Sequence, residues 1–166
     1  REWVNPQNSG RSAYDRIIFE AAPGEKVVIK GSEQVHSWEP VEETVWKAVV
    51  PNSVFGKFNP YAEVLKGHWL RYPLDHSLHL GDVYLNGKSF YEVPSYYEVV
   101  HPTMRTKGNN PPWTNREEWI LEPEQTVYVW YAQVDEKNTT IYANFHGYDP
   151  NQELVEINVR PYCFYP

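Results

Sequence analysis

The sequence predicts an all-β protein, a β-sandwich flanked by strands of a parallel β-helix, and three observations carry that prediction. Helical periodicity is almost absent, while apolar residues fall into short runs or alternate with polar ones, bounded by Gly and Pro. Asn86-Gly87 lies between two short apolar segments, as in a two-residue hairpin with a type I′ turn. Residues 126–134 and 139–145 are strongly apolar and joined by Asp135-Glu136-Lys137-Asn138, which reads as a second hairpin.

Along the chain, residues 16–20 (Arg-Ile-Ile-Phe-Glu) form a first short run, 21–25 turn the chain, and 26–30 (Lys-Val-Val-Ile-Lys) form a second, halted by Gly31-Ser32. A third runs from Gln34 to Trp38. Their spacing is that of successive edges of a solenoid coil. One coil cannot bury its own ends, so further coils are expected above and below it. Residues 44–50 then predict a longer strand ended by Pro51, and 52–75 a loop punctuated by Gly56, Pro60, Gly67 and Pro73. After the hairpin at 81–90, residues 97–100 predict a short strand and 104–118 a long irregular loop. The strands at 126–134 and 139–145 are apolar on both parities, which calls for cover on both faces. Residues 154–160 alternate Val155, Ile157 and Val159 with Glu156, Asn158 and Arg160.

The apolar fraction of 41% suffices for a core, and aromatics at 16%, with 7 Trp and 13 Tyr, exceed what a core needs. That excess fits exposed flat rings, platforms for sugars and peptides, and fits aromatic strand packing equally well. A net charge of −7 argues against nucleic acid as a partner, because phosphate binding needs a basic face. No apolar stretch approaches the roughly 20 residues of a membrane span. The first residues, Arg1-Glu2-Trp3, lack an initiator Met and read as a processed end or a boundary. Cys163 is the single cysteine, so it excludes an internal disulfide, and Tyr162 and Phe164 beside it predict a packed thiol. Neither bacterial cytoplasm nor secretion is favoured.

Three blocks of residues carry a family resemblance. The first is Ile17-Ile-Phe-Glu-Ala-Ala-Pro-Gly-Glu-Lys-Val-Val-Ile-Lys-Gly-Ser32, followed by Trp38, which resembles the opening coil of right-handed parallel β-helix proteins that act on polysaccharides. The second is Gly81-Asp-Val-Tyr-Leu-Asn-Gly87. The third comprises Trp130-Tyr-Ala-Gln-Val-Asp135, Thr139-Thr-Ile-Tyr-Ala-Asn-Phe145, Asp149-Pro-Asn151 and Val155-Glu-Ile-Asn-Val-Arg160. In that order they resemble glycoside hydrolase family 120, the β-xylosidase type. The resemblance implies a sandwich inserted after the first coils of a right-handed β-helix. Residues 1–38 would be an early coil, 39–150 the inserted sandwich, and 151–166 the return strand. The rest of that helix would be the intramolecular partner, and a xylan-type oligosaccharide or polysaccharide the ligand. It further implies that both catalytic carboxylates lie beyond Pro166, so no residue here takes a catalytic role. Leu80 departs from the pattern, standing where a small polar residue is more usual.

The residues themselves agree on the last point. A retaining glycosidase needs two carboxylates about 5–5.5 Å apart, and no spacing pairs Asp75, Asp82, Glu92, Glu117 or Glu118, which therefore read as solvated. His68, His76 and His79 gather near Trp69, Tyr72 and Asp75, yet their spacing matches no tight metal-ligand motif. A polar rim over a binding cleft is the expectation, with no metal and no cofactor. Sugar rings offer a flat C–H face to Trp or Tyr and hydroxyls to His, Asn or Asp. The loop residues Trp69, Tyr72, His76, His79 and Trp113 are thus the candidate substrate contacts, with Trp119 behind them. Trp46, Tyr128 and Trp130 read as core. Trp69 would shape the pocket, or equally pack the sandwich onto the coil. Two other classes fit the same residues: a free-standing carbohydrate-binding module, and a structural or oligomerisation domain. Asn138-Thr139-Thr140 matches a glycosylation sequon but falls in a tight hairpin tip, where coincidence explains it.

Overall fold

Strands form in this chain where an alternating segment also finds a partner. The computed structural model describes residues 4–68, 70, 76–111 and 113–163. Its first strands are β1 (Ser32–Gln34), β2 (Glu39–Pro40) and β3 (Val45–Pro51). β4 (Val83–Leu85) and β5 (Lys88–Ser89) form the first hairpin, and β6 (Tyr91–Glu92) follows directly. After α1 (Tyr96–Val100) come β7 (Lys107–Gly108), β8 (Glu118–Trp119), β9 (Val129–Val134), β10 (Asn138–Asn144) and β11 (Val155–Asn158). Two sheets make an all-β sandwich: one antiparallel in the order β1-β11-β4-β5, the other in the order β2-β3-β10-β9-β6 with β6 parallel to β9.

The core follows from strand parity. Val83, Leu85, Val155 and Ile157 face inward from the first sheet, and Ala48, Val50, Trp130, Ile141 and Ala143 from the second. Trp38, Tyr61, Phe90 and Phe145 fill the space between. Trp38 meets Phe145 edge-on at 5.0 Å, and Tyr61 meets Trp130 edge-on at 5.3 Å. Each such pair adds about 0.5–1.5 kcal/mol beyond its buried area. Trp130 is core as expected, and Trp46 and Tyr128 pack against the core half-buried. Asn86 and Gly87 have φ of 52° and 84°, the left-handed pair that a type I′ turn requires.

Several local expectations need correction. Residues 97–100 belong to a helical turn, not a strand. Ser95 and Glu98 stand three apart after Pro94, and the Ser95 hydroxyl donates to the Glu98 carboxylate, a side-chain link favouring a helix start. That turn supplies the cover that β9 and β10 needed on their second face: Tyr96 packs on Tyr142 at 5.0 Å, and Asn144 Nδ2 donates to Val99 O at 2.9 Å. Residues 104–118 are not wholly irregular, since β7 and β8 clasp the arm near its base. Cys163 is exposed, not packed, because it lies past the last strand. The runs at 16–20 and 26–30 join no sheet; Ile18 is 72% and Val27 62% exposed. A β-prone run becomes a strand only when a ladder takes its N–H and C=O groups.

The two ends of the sandwich are tied together. β1 pairs with β11, with Ser32 opposite Asn158, and the N–H groups of Val159 and Arg160 both donate to Gly31 O at 3.0 and 3.1 Å. Lys30 pairs with Glu156 and Arg160 with Glu33, while Ser32 Oγ donates to Glu156 Oε1 at 3.1 Å. Glu156 is 2% exposed, a burial that only paired and hydrogen-bonded carboxylates tolerate.

Beside β4, Asp82 is the polar hub of the fold. Its backbone N donates to Asn158 Oδ1 at 2.7 Å, and its carbonyl accepts from Tyr61 Oη at 2.6 Å. Its carboxylate accepts from Ser89 Oγ at 2.6 Å and from Val83 N at 2.8 Å. Burial nevertheless raises its pKa above the ordinary 3.8 and outweighs these donors. Burial and the Asp82 carboxylate also push the Tyr84 phenol up to about 12. A carboxyl with a raised folded pKa stabilises the fold below its unfolded value and loses that contribution as pH rises through the folded one. In urea titrations, the stability of the wild type relative to Asp82→Asn should therefore be greatest below pH 3.8 and decline as pH rises above it; a flat or rising difference refutes this.

Gly81 is fixed by contact. A Cβ there would lie 2.4 Å from Tyr61 Cδ1, and that ring is pinned by Trp130, by Phe55 at 5.8 Å and by its own hydroxyl. Gly81→Ala should thus destabilise the protein by about 1–3 kcal/mol through overpacking, read as a lower thermal midpoint.

Candidate functional site

The site grows from a loop pinched at its base. Val64 bridges His79 antiparallel, Leu65 N donates to Leu78 O at 2.7 Å, and Leu80 N donates to Glu63 O at 2.9 Å. These bonds return the chain to its starting point, so His76 and His79 come back against the sandwich. There His79 meets Glu92 of β6 twice: its backbone N donates to Oε2 at 2.7 Å, and its ring Nδ1 approaches Oε1 at 2.5 Å. A carboxylate is a pure acceptor, so Nδ1 carries the hydrogen, which settles the tautomer of a neutral ring. The Glu92 side chain is only 10% exposed.

Above this pair lies a cavity of about 440 Å³. Phe90, Trp130, Leu78 and Ile120 give it an apolar lining, and Asp82, His79, Glu92 and Arg105 supply its polar atoms. The Arg105 guanidinium lies 5.1 Å over the Tyr91 ring, a cation–π contact that holds it at the rim. A smaller cavity of about 220 Å³ shares His76, His79, Glu92 and Trp130, so the His79–Glu92 couple forms a partition between the two. His76 lines both, and its Nε2 is buried with no hydrogen-bond partner among the described residues. Apolar walls with a few convergent polar groups are the general make-up of a small-ligand site. Asp82 and Glu92 already accept hydrogen bonds from Ser89, Val83 and His79, which suits them to orient neighbours more than to act as a nucleophile and acid pair.

Of the residues expected to contact substrate, His76 and His79 are brought together at this cavity. Trp113 is 70% exposed on the arm between β7 and β8 and does not line it. Trp69 and Tyr72 lie outside the described residues, as does Asp75. His68 is not among the lining residues, and the described residues hold no group of three His, Cys, Asp or Glu side chains arranged for a metal. The reading of Asp82 and Glu92 as solvated is overturned: one is the half-buried hub beside β4, the other the acceptor for His79. Their signal was faint, since the couple spans 13 residues and a hairpin. Arg105 and Tyr91 gave no signal at all.

Comparison with known proteins places this geometry. No protein of curated function matches the chain in sequence. A solved structure described as "The complex structure of XylC with xylose" superposes with a TM-score of 0.93 at 56% sequence identity, covering 100% of this chain and 26% of that one. The chain thus spans about a quarter of the length of that protein. Residues 35–157 match the family profile described as "Glycoside hydrolase 120, insertion domain", so the chain belongs to the glycoside hydrolase 120 insertion-domain family.

Proposed function

We propose that this chain is a non-catalytic segment of a β-xylosidase-like glycoside hydrolase, and that its cavity and the loop over it shape the substrate cleft. The observation that carries the reading is the wall of His76, His79, Glu92 and Asp82 over an apolar floor, in a chain 56% identical to part of a protein solved with xylose. A pentose offers C–H faces to such a floor and hydroxyls to such a wall. Trp69 and Tyr72 remain candidate stacking faces for that sugar. In this reading residues 1–38 form an early coil, 39–150 the inserted sandwich and 151–166 the return strand of a right-handed parallel β-helix. The exposed Ile17, Ile18, Val27 and Val28 would be covered by neighbouring coils of that helix. The ends that meet at Gly31 and Val159 support an insertion, which must leave its host and rejoin it at one place, while β1 and β11 carry the sandwich past both bounds of that division. The catalytic carboxylates belong to the same helix, outside this chain.

Two measurements test the reading. In the full-length protein, His79→Ala should raise KM for a short xylo-oligosaccharide about ten-fold, or about 1.4 kcal/mol of lost ligand contact, with a smaller change in kcat; unchanged kinetics would remove the loop from the cleft. The 166-residue chain alone should hydrolyse no nitrophenyl xyloside, and turnover abolished by a single carboxylate substitution within it would overturn the non-catalytic assignment.

A further inference from the structure

We infer that the smaller cavity, on the far side of the His79–Glu92 couple, is a binding site for one neutral, hydroxyl-bearing molecule of monosaccharide size. Its described lining residues belong to the sandwich and its own returning loop, and none of them is on the arm. One wall comes from β6 and β9: Glu92, with Val93 and Pro94 past it, against Trp130, Tyr131 and Ala132. The parallel pairing of Glu92 with Trp130 holds that wall, and Val93 N donates to Trp130 O at 2.9 Å just beyond it. The returning loop supplies the other wall through His76, Ser77 and His79.

One atom there lacks what a folded protein gives nearly every buried polar group. His76 Nε2 is buried with no hydrogen-bond partner among the described residues, and His76 lines the cavity. A buried polar atom left unpaired is destabilising, so the space beside it calls for a molecule that bonds to it. Neighbouring polar groups are already committed. The Tyr61 hydroxyl donates to the Asp82 carbonyl at 2.6 Å, which leaves its ring for the cavity. Both Glu92 carboxylate oxygens face nitrogens of His79, and Pro94 has no N–H.

That pattern selects the ligand class. With Nδ1 donating to Glu92, a neutral His79 keeps an acceptor at Nε2, while His76 Nε2 is a donor in the tautomer that carries its hydrogen there. A hydroxyl both donates and accepts, so it can serve either ring. A carboxylate would lie against Glu92 with no Lys or Arg among the described lining residues to offset the repulsion. An ammonium would reach the Glu92 oxygens only by displacing His79. The volume of about 220 Å³ is far more than the roughly 10–15 Å³ that seats one water. It is less than the roughly 300 Å³ at which pockets for drug-sized ligands begin, which suits one sugar ring and not a chain of them. The inference does not rest on the cleft reading, which concerns the larger cavity.

The test soaks crystals of the full-length protein with D-xylose and titrates the same protein with D-xylose by calorimetry. The expected result is sugar in the smaller cavity, with a hydroxyl oxygen within about 3.2 Å of His76 Nε2, and one fewer xylose bound per chain in His76→Phe. Sugar confined to the larger cavity would overturn this inference and leave the cleft reading standing, whereas sugar in the smaller cavity alone would do the reverse. Water alone at His76 Nε2 in a saturated crystal would overturn it too, as would an unchanged number of sites in His76→Phe, which would mark binding at crystal concentration only. D-Glucuronate should stay out of the cavity, and its entry would refute the neutral class. Should His76→Phe fail to fold, the wild-type soak decides the question by itself.

Discussion

The pairing of β1 with β11 is the constraint on which the rest of the sandwich depends. Ser32 and Asn158 are opposed across it, so nearly the whole described sandwich is one closed loop. Closing a loop of that length costs about 4 kcal/mol of chain entropy, and three paired residues per strand cannot offset that alone. The offset comes from what closure allows. β11 pairs on its other side with β4, which brings Val83 and Leu85 over Val155 and Ile157 and seals the first sheet onto Trp130 and Phe145. The ion pairs of Lys30 with Glu156 and of Arg160 with Glu33 straddle the same seam. A partly exposed pair stabilises little on its own. These two instead fix the register, because a one-residue slip would move Glu156 from its partners into the core.

The cavity inherits this constraint step by step. β11 positions β4, and Asn158 on β11 holds the backbone of Asp82. Asp82 then accepts the Tyr61 hydroxyl, and the Tyr61 ring occupies the space that a side chain at position 81 would need. From Gly81 the chain runs back through Leu80 to His79, where Glu92 receives both the backbone and the ring. Each link is a short, directional contact between buried or half-buried groups. The geometry of the site is therefore set by the seam at the far side of the first sheet as much as by the loop itself.

What the sequence disclosed, and what it withheld, follows the range of the interactions. The Asn86-Gly87 hairpin and the β9–β10 hairpin were legible because turn chemistry and pattern are local. The helical turn at Tyr96–Val100 had a local signal in Ser95 and Glu98, but the apolar Tyr97, Val99 and Val100 imitate a strand. The runs at 16–20 and 26–30 have strand composition and no ladder in this chain; propensity records a fit to a pleated surface, and the surface must be supplied by a neighbour. The same limit applied at the site. His76 and His79 were legible as a polar cluster beside aromatics, whereas Asp82 and Glu92 looked like ordinary surface acids. Only their burial sets them apart, and burial is a property of the closed sandwich.

The distribution of apolar surface carries the reasoning further. The core is closed to solvent: Val83, Ile141, Ala143, Phe145 and Val155 are each at 0% exposure. Ile18 and Val27 on one segment, and Trp119 and Leu121 on the arm, therefore cannot be core residues displaced from their places. They stand on segments joined to opposite sides of the sandwich, one next to β1 and the other next to β6. An uncovered apolar margin of this kind calls for a neighbouring surface, and in the proposed reading the neighbour of Ile18 and Val27 is the adjoining coil of the β-helix.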